Sequence, residues 1–184
     1  ESMTGQINIG LKSPETGPKL FVNGYANAFG RFEGNFIGKK KINSKWGSNV
    51  LAHASTTQNK MDPNNDGFYN IPSGHQLSLM NRWKYEGDFW EAQIGVKVLD
   101  DSRISGQTGY EKGMKRDTNS LYGVELHNRQ YGVWAKLGRP ANEIRPVSLG
   151  FIVNGNYHES GFIAGLNDYF GVQTGIYATA IANR

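Results

Sequence analysis

The chain has 184 residues and a mass of 20.4 kDa, which is enough for one domain with a sizeable core. It contains no cysteine, so disulfides, thiol catalysis and thiolate metal sites are excluded. Hydrophobic residues make up 38%, and no run approaches the roughly 18–20 apolar residues that a membrane helix needs. The net charge of +4 is spread along the chain, with the three lysines at 39–41 as the only tight run. We interpret that run as a solvated strand end and expect no nucleic-acid partner.

Alternation of apolar and polar residues predicts a succession of strands and no helix. A short strand is predicted at 5–12. The segment 13–18, which contains two prolines and a glycine, ends it. The longer strands are predicted at 20–30, 31–42, 46–60, 75–85, 90–98, 121–138, 147–165 and 172–184. The segment 121–138 fits one tilted strand or a tighter hairpin broken near Asn128. The predicted connections are 43–45, 61–74, 86–88, 101–120, 139–146 and 166–171. Short and long connections alternate in most places, as they do in outer-membrane barrels.

The hairpin at 75–98 has the clearest two-sided pattern. Its apolar side carries Leu77, Leu79, Trp83, Tyr85, Trp90, Ala92, Ile94, Val96 and Val98. The other side carries Gln, Ser, Arg, Lys and Glu. Both strands are longer than the five or six residues usual in a soluble sheet. Lipid on one side and a wet lumen on the other would explain this pattern, and so would a long hairpin in a soluble β-sandwich.

These features predict an all-β protein that forms an antiparallel transmembrane β-barrel in the outer membrane. About eight strands can close on themselves with a filled interior. A self-contained eight-stranded barrel that acts as an anchor or adhesion protein is therefore one alternative. A soluble β-sandwich that binds carbohydrate through exposed aromatic side chains is another.

Residues 62–67 match the opening of a calcium loop, D-x-[DN]-x-[DN]-G. Oxygen ligands at alternate positions can converge on one hard cation. The candidate ligands are Asp62, Asn64, Asp66, the backbone carbonyl of Phe68, and Asn70. The twelfth position, where an EF-hand has a bidentate Glu, is Ser73, so the motif predicts a weak calcium site that is not an EF-hand. The alternative is an Asn/Asp-rich turn held by its own side-chain hydrogen bonds.

No other group of residues predicts chemistry. The histidines at 53, 75, 127 and 158 lie on separate strands or loop edges and lack metal-ligand spacing. The adjacent carboxylates Asp100 and Asp101 fit a solvated strand end better than an acid–base pair, and so do Glu86 and Asp88. We therefore expect a protein that is not an enzyme and that has no cofactor besides calcium.

Six aromatic residues fall near predicted strand ends: Trp46, Trp83, Tyr85, Trp90, Tyr131 and Trp134. They fit an interfacial girdle at the edge of a membrane. Stacking on sugar rings is the alternative.

Several stretches resemble the TonB-dependent outer-membrane receptors of Bacteroidetes. ESMTGQINIGLKSP at the start of the chain resembles the end of their plug domain and its exit into the barrel. LFVNGYANAFGRFEGN resembles their first barrel hairpin. DPNNDGFYNIP followed by LMNRWKY, and then QIGVKVLDDSRISGQTGY, resemble the next strands and loops. The Asp-rich loop followed by Asn-Arg-Trp-Lys-Tyr is the most specific part of the resemblance.

The resemblance implies two parts: the end of the plug domain at 1–18 and the N-terminal portion of the barrel at 19–184. About eight strands would then belong to a larger, 22-stranded barrel. The implied intact receptor lies in the outer membrane, in contact with lipid, and takes up a scarce ligand such as a metal chelate, cobalamin or a glycan. Its energy would come from the TonB system through an N-terminal part outside these residues. A surface lipoprotein is a further implied partner.

Overall fold

A computed structural model describes residues 18–141 and 146–184, and within them the chain is all-β. Its strands are β1 (Leu20–Ala26), β2 (Arg31–Lys41), β3 (Trp46–Thr57), β4 (Ser73–Glu86), β5 (Glu91–Gly106), β6 (Gly123–Arg139), β7 (Ser148–Ala164) and β8 (Asn167–Asn183). The predicted strand at 5–12 and the predicted plug end at 1–18, Pro18 excepted, lie outside the described residues. So does much of the predicted turn at 139–146. None of the described residues belongs to a helix that is long and apolar enough to cross a membrane.

The eight strands form one antiparallel sheet in which each strand pairs with its neighbours in sequence. The order is therefore β1 to β8 without a crossover. Among the described residues β1 and β8 do not pair with each other, so the sheet is open there and not closed into a barrel. The predicted antiparallel all-β architecture with long strands is confirmed, and the strands reach 17 residues in β6, β7 and β8.

The structure resolves one open alternative and shortens two predicted loops. The segment that could have been one strand or a broken hairpin is one continuous strand, β6, paired throughout with β5 and β7. Strand β5 continues to Gly106, so residues 101–106 of the predicted loop at 101–120 are strand. The predicted loop at 166–171 is reduced to a two-residue turn, because Asn167 already pairs with Ala164. In these segments both sides of the strand are mixed in polarity, which hides the alternation on which the prediction depends.

Alternation gives the sheet two chemically different faces. Trp83 pairs with Ile94 and Leu79 pairs with Val98, so the apolar sides of β4 and β5 coincide as predicted. We call this side of the whole sheet the apolar face. We call the side of Arg82 the polar face. Side chains on the apolar face are well exposed, with Ile94 at 47%, whereas Arg82 is 5% exposed. Within the described residues no second layer packs on either face of the sheet.

The connections fall on two edges of the sheet. The loop edge carries 27–30, 58–72, 107–122 and 165–166, and the turn edge carries 42–45, 87–90 and the described residues 140–141 and 146–147. The two longest connections, of 15 and 16 residues, are neighbours on the loop edge. They provide the non-strand surface on which a site can be built.

Candidate functional site

The apolar face carries a band of apolar side chains that crosses all eight strands, which we call the apolar band. Its register runs, for example, from Leu79 through Val98 to Tyr131 and Tyr157. Toward the turn edge the band ends at Trp46 and Tyr85, whose ring centroids are 5.1 Å apart. Toward the loop edge it ends at the Tyr131 and Tyr157 rings, 6.1 Å apart. Aromatic residues therefore border the band on both sides, at positions that include the predicted girdle residues Trp46, Tyr85 and Tyr131.

Trp134 is an exception to that interpretation. It lies on β6 between Val133 and Ala135, and the alternation places it on the polar face. Its indole ring lies over Gly95 of the neighbouring strand, where a Cβ atom would overlap the ring. Because Gly95 has no side chain, the ring can occupy this space. The girdle prediction is wrong for Trp134, because the sequence alone did not fix to which face this residue of a mixed strand belonged.

Between the band and the loop edge the apolar face becomes polar. Asp100 lies between His75 and Arg129 there, with His75 Nε2 at 3.5 Å and Arg129 Nε donating a hydrogen bond at 3.1 Å. Asp101 points to the polar face, where it accepts a hydrogen bond from Arg103 Nε at 2.7 Å. The two adjacent carboxylates therefore point to opposite faces, and they cannot act together as an acid–base pair.

The loops 58–72 and 107–122 are joined into one unit, the loop clasp. Thr108 N donates to the carbonyl of Gly67 at 2.8 Å, and Tyr69 N donates to the carbonyl of Gly106 at 2.9 Å. Gly109 N donates to the Tyr69 hydroxyl oxygen at 2.7 Å. Backbone groups of one loop thus satisfy those of the other, which fixes both loops relative to the sheet.

A lysine and a tyrosine hold the clasp on its sheet side. Lys60 Nζ donates to the carbonyl of Tyr110 at 3.2 Å, and it lies 5.7 Å from the ring centroid of Tyr69. Tyr110 is 1% exposed and packs against Gly123, which leaves space for its ring because it has no Cβ. The Tyr110 hydroxyl donates to Glu125 Oε1 at 2.8 Å. Burial raises the pKa of Tyr110 to about 12, and the hydrogen bond to Glu125 acts in the same direction.

The loop at 107–122 is also tied to the start of β8. Arg116 forms a bidentate ion pair with Asp168, in which Nη2 donates to Oδ2 at 2.7 Å. This hydrogen bond raises the pKa of Arg116 above its ordinary value. Within the loop, the pKa of Asp117 is lowered, first by Lys115 and then by hydrogen bonds from Ser120 and Asn119. The loop-edge surface is therefore held by ion pairs as well as by backbone bonds.

The predicted calcium loop forms the outer part of the clasp. Asp62 accepts hydrogen bonds from the backbone N–H groups of Asp66, at 3.1 Å, and of Gly67, at 2.9 Å. Asn64 Nδ2 donates to Asp66 Oδ2 at 2.8 Å, and Asp66 Oδ1 accepts from Phe68 N at 2.9 Å. The chain thus brings Asp62, Asn64 and Asp66 together. Their contacts form the side-chain-held turn that was the alternative interpretation, and calcium binding stays a prediction.

The four histidines are not brought together. His53 and His158 lie on the polar face, and His53 Nδ1 is 2.8 Å from Asn35 Oδ1. His75 and His127 lie on the apolar face with strand β5 between them. Within the described ranges no three residues among His, Cys, Asp and Glu form a group that could hold a metal ion.

The polar face concentrates positive charge. Its strands carry eight cations and four carboxylates, whereas those of the apolar face carry three cations and four carboxylates. The cations of the polar face are Arg31, Lys39, Lys41, Arg82, Lys84, Lys97, Arg103 and Lys136. Three of the carboxylates pair with a cation two residues along the same strand: Glu33 with Arg31, Glu86 with Lys84 and Asp101 with Arg103.

Arg82 is fixed within this positive region. Its Nε donates a hydrogen bond to Asn49 Oδ1 at 3.2 Å, and Asn49 is 3% exposed. Arg82 is the cross-strand partner of Gly95, over which the indole of Trp134 lies. A guanidinium group, an indole ring and lysines thus share one area of the polar face. Sequence reasoning missed this area, since it depends on cross-strand register that alternation within one strand does not give.

Comparison of the chain with protein-family models, with curated proteins and with solved structures finds no significant match.

Proposed function

We propose that this chain is the N-terminal part of the transmembrane barrel of a TonB-dependent receptor in the outer membrane. The intact receptor would take up a scarce ligand, such as a metal chelate, cobalamin or a glycan, and would not be an enzyme. The observation that supports this proposal is the inverted polarity of the sheet, with apolar side chains outside and charged side chains on the sheltered side. Water-soluble sheets bury their apolar face against another layer instead.

The dimensions of the apolar band agree with this proposal. On β7 it extends from Leu149 to Tyr157, nine residues that cover roughly 27 Å along the strand at about 3.4 Å per residue. A strand tilted by roughly 40° would then carry a band about 21 Å tall, close to the roughly 25 Å of outer-membrane barrels. Its aromatic borders correspond to the interfacial girdles of such barrels.

The two edge strands favour a larger barrel. A sheet in lipid cannot leave backbone N–H and C=O groups unpaired, so β1 and β8 each need a partner strand. Closure of the sheet onto itself would pair β1, with seven residues, against β8, with 17. Much of β8 would then stay unpaired. Further strands of the intact receptor, next to β1 and β8, would satisfy both edges, as the resemblance to 22-stranded barrels implies.

Cysteine labelling tests the membrane orientation cleanly, because the chain has no cysteine of its own. Val153 is on the apolar face and Asn154 is its neighbour on the polar face. In native membranes we expect a water-soluble maleimide to label Asn154→Cys readily and to label Val153→Cys only after the membrane is dissolved and the protein is denatured. Equal labelling of both variants in intact membranes would refute the membrane proposal.

The intact mass of the native polypeptide tests the receptor proposal. A mass several times 20.4 kDa, the mass of this chain, is expected for a complete receptor. A native polypeptide of about 20.4 kDa with membrane-protected Val153→Cys would instead favour the self-contained anchor barrel. Loss of ligand uptake after deletion of the TonB partner would complete the test of energy coupling.

A further inference from the structure

We propose that the polar face of β6, β7 and β8 binds a neutral oligosaccharide. The site is a strip of uncharged polar side chains that lies between two groups of aromatic rings. We call it the uncharged strip, and it comprises Asn128, Gln130, Asn156, His158, Ser160 and Gln173. This inference deepens the proposed function, since it names the class of imported ligand, and it rests on that function for the side from which the ligand arrives.

Charge is divided unevenly over the polar face. All of its cations except Lys136, and all of its carboxylates, lie on strands β2 to β5. With histidine neutral, Lys136 is the only charged side chain on the polar face of the described strands β6, β7 and β8. It lies beyond Trp134, toward the turn edge. A charged ligand along the uncharged strip would therefore lack ionic partners, and burying a charge without a partner is costly.

The side chains of the uncharged strip lie next to one another in register. Gln130 pairs with His158, and His158 pairs with Gln173. One row toward the loop edge, Ser160 Oγ donates a hydrogen bond to Asn128 Oδ1 at 2.7 Å. Within the described part of the chain Gln130, His158 and Gln173 form no side-chain hydrogen bond with protein. Their donors and acceptors are therefore available to a ligand.

Side-chain amides match the hydroxyl groups of a sugar. Each amide carries two N–H donors and a carbonyl acceptor, and a hydroxyl group both donates and accepts. A sugar hydroxyl can therefore pair with an amide of the strip in either direction. A purely apolar ligand would displace water from these amides without replacing its hydrogen bonds, which is unfavourable.

Aromatic rings lie at both ends of the uncharged strip. Toward the loop edge, Phe162 and Tyr169 are cross-strand partners whose ring centroids are 6.0 Å apart. Toward the turn edge, Trp134 and Tyr177 lie in one row, and Tyr177 folds back over Gly175, where a Cβ atom would overlap its ring. The face of an aromatic ring is apolar. The C–H face of a sugar ring is apolar too, so these rings can stack on sugars at both ends.

The distance between the two ends indicates a chain of sugars. Asn154, in the row of Trp134, and Phe162 are eight residues apart on β7, which is roughly 27 Å at about 3.4 Å per residue. A single sugar cannot contact both groups of rings. An oligosaccharide can stack at both ends while the hydroxyl groups between them bond the amides. Because the strip offers no counter-charge, the oligosaccharide that matches all of it is neutral.

Calorimetry on the intact protein in detergent tests the inference. The neutral probes are maltohexaose, cellohexaose and mannohexaose, each paired with its disaccharide. Hexagalacturonate and the hexamer of glucosamine are the acidic and basic probes. We expect at least one neutral hexamer to bind at least about tenfold more tightly than its disaccharide and than both charged hexamers, because two groups of rings then hold one chain. Its affinity should stay constant between about 50 and 500 mM NaCl, because salt screens only the attraction between charges.

Single substitutions then locate the site. Gln130→Ala and Gln173→Ala should each weaken the best neutral hexamer by about fivefold, as expected for one lost hydrogen bond. Tyr169→Ala should remove most of the advantage of that hexamer over its disaccharide. Gln76→Ala is the matched control, because Gln76 is a half-buried glutamine on the polar face of β4, opposite Asp101 and outside the strip. It should change no affinity.

Several results would overturn the inference: no binding of any neutral hexamer, tighter binding of a charged hexamer, or an affinity for the neutral hexamer that falls with salt. Unchanged affinity in both Gln130→Ala and Gln173→Ala, or an equal loss in Gln76→Ala, would also overturn it. Equal labelling of Val153→Cys and Asn154→Cys would refute the membrane proposal alone, because the labelling does not depend on these binding results.

Discussion

Replacement of Ile94 by Arg gives the sharpest test of which face meets lipid. Ile94 lies near the middle of the apolar band, in register with Trp83 and Ala135, and it is 47% exposed. If that exposed surface meets the hydrocarbon core, the arginine should lower the free energy of unfolding by roughly 2–4 kcal/mol. At about 1.4 kcal/mol per tenfold, the folded population would shift roughly 30- to 700-fold. If the surface meets water, the cost should stay within about 0.5 kcal/mol, as for ordinary surface positions.

The control substitution is Asn154→Arg. Asn154 pairs with Trp134, which pairs with Gly95, so it lies at nearly the same height as Ile94 but on the polar face. Gln93 is a poorer control, because Lys84 and Lys136 are its cross-strand partners and would repel a third cation. Denaturant unfolding of the intact protein in phospholipid bilayers, followed by tryptophan fluorescence, gives both values. Equal losses of stability in the two variants would refute the orientation of the sheet.

Three further predictions concern the loop clasp and the aromatic rings. If the motif at 62–67 binds calcium, the loop at 58–72 should become protected from proteases at millimolar calcium, and Asp62→Ala should abolish the protection; no protection in the unsubstituted protein would remove the metal. The phenol of Tyr110 has a pKa of about 12 when folded and about 10 when unfolded, so the unfolded state loses its proton first and stability should fall as the pH rises from about 10 to 12. Ultraviolet titration should show a late-ionising tyrosine that is lost in Tyr110→Phe, and its presence in that variant would contradict the assignment. Gly95→Val should displace the indole of Trp134 and change its fluorescence, whereas an unchanged spectrum would show that the ring does not rest there.

The main features of the fold could be predicted from the sequence, because strict alternation fixes both the strand and its two faces. The hairpin of β4 and β5 shows this, since its predicted apolar sides meet in register. Alternation weakens beyond the apolar band. From Asp100 to Gly106 both faces of β5 carry polar residues, so the strand has the composition of a loop. Its pairing with β6 provides the backbone hydrogen bonds that alternation could not reveal.

The candidate sites were less accessible to sequence reasoning. The Asp-rich motif could be found because its members are close in sequence, and the structure does bring Asp62, Asn64 and Asp66 together. The area of the polar face around Trp134 joins Arg82 of β4, Gly95 of β5 and Trp134 of β6, and its geometry depends on the register of two pairings. A glycine opposite a tryptophan becomes meaningful only once that register is known. Gly95 in the middle of an apolar and basic strand was the available signal.

The uninterrupted order of the sheet also has a consequence for how the protein folds. Because each strand pairs with its neighbours in sequence, the chain can add one hairpin at a time without a long-range search. Closing the 16-residue connection at 107–122 costs only about 1.2 kcal/mol more chain entropy than closing a four-residue turn such as 87–90. The hydrogen bonds between the loops at 58–72 and 107–122 can offset that small difference once both hairpins exist. The hairpins with long loops and those with short turns should therefore form at similar rates. The pairing of β4 and β5 should form before the hydrogen bonds of the loop clasp.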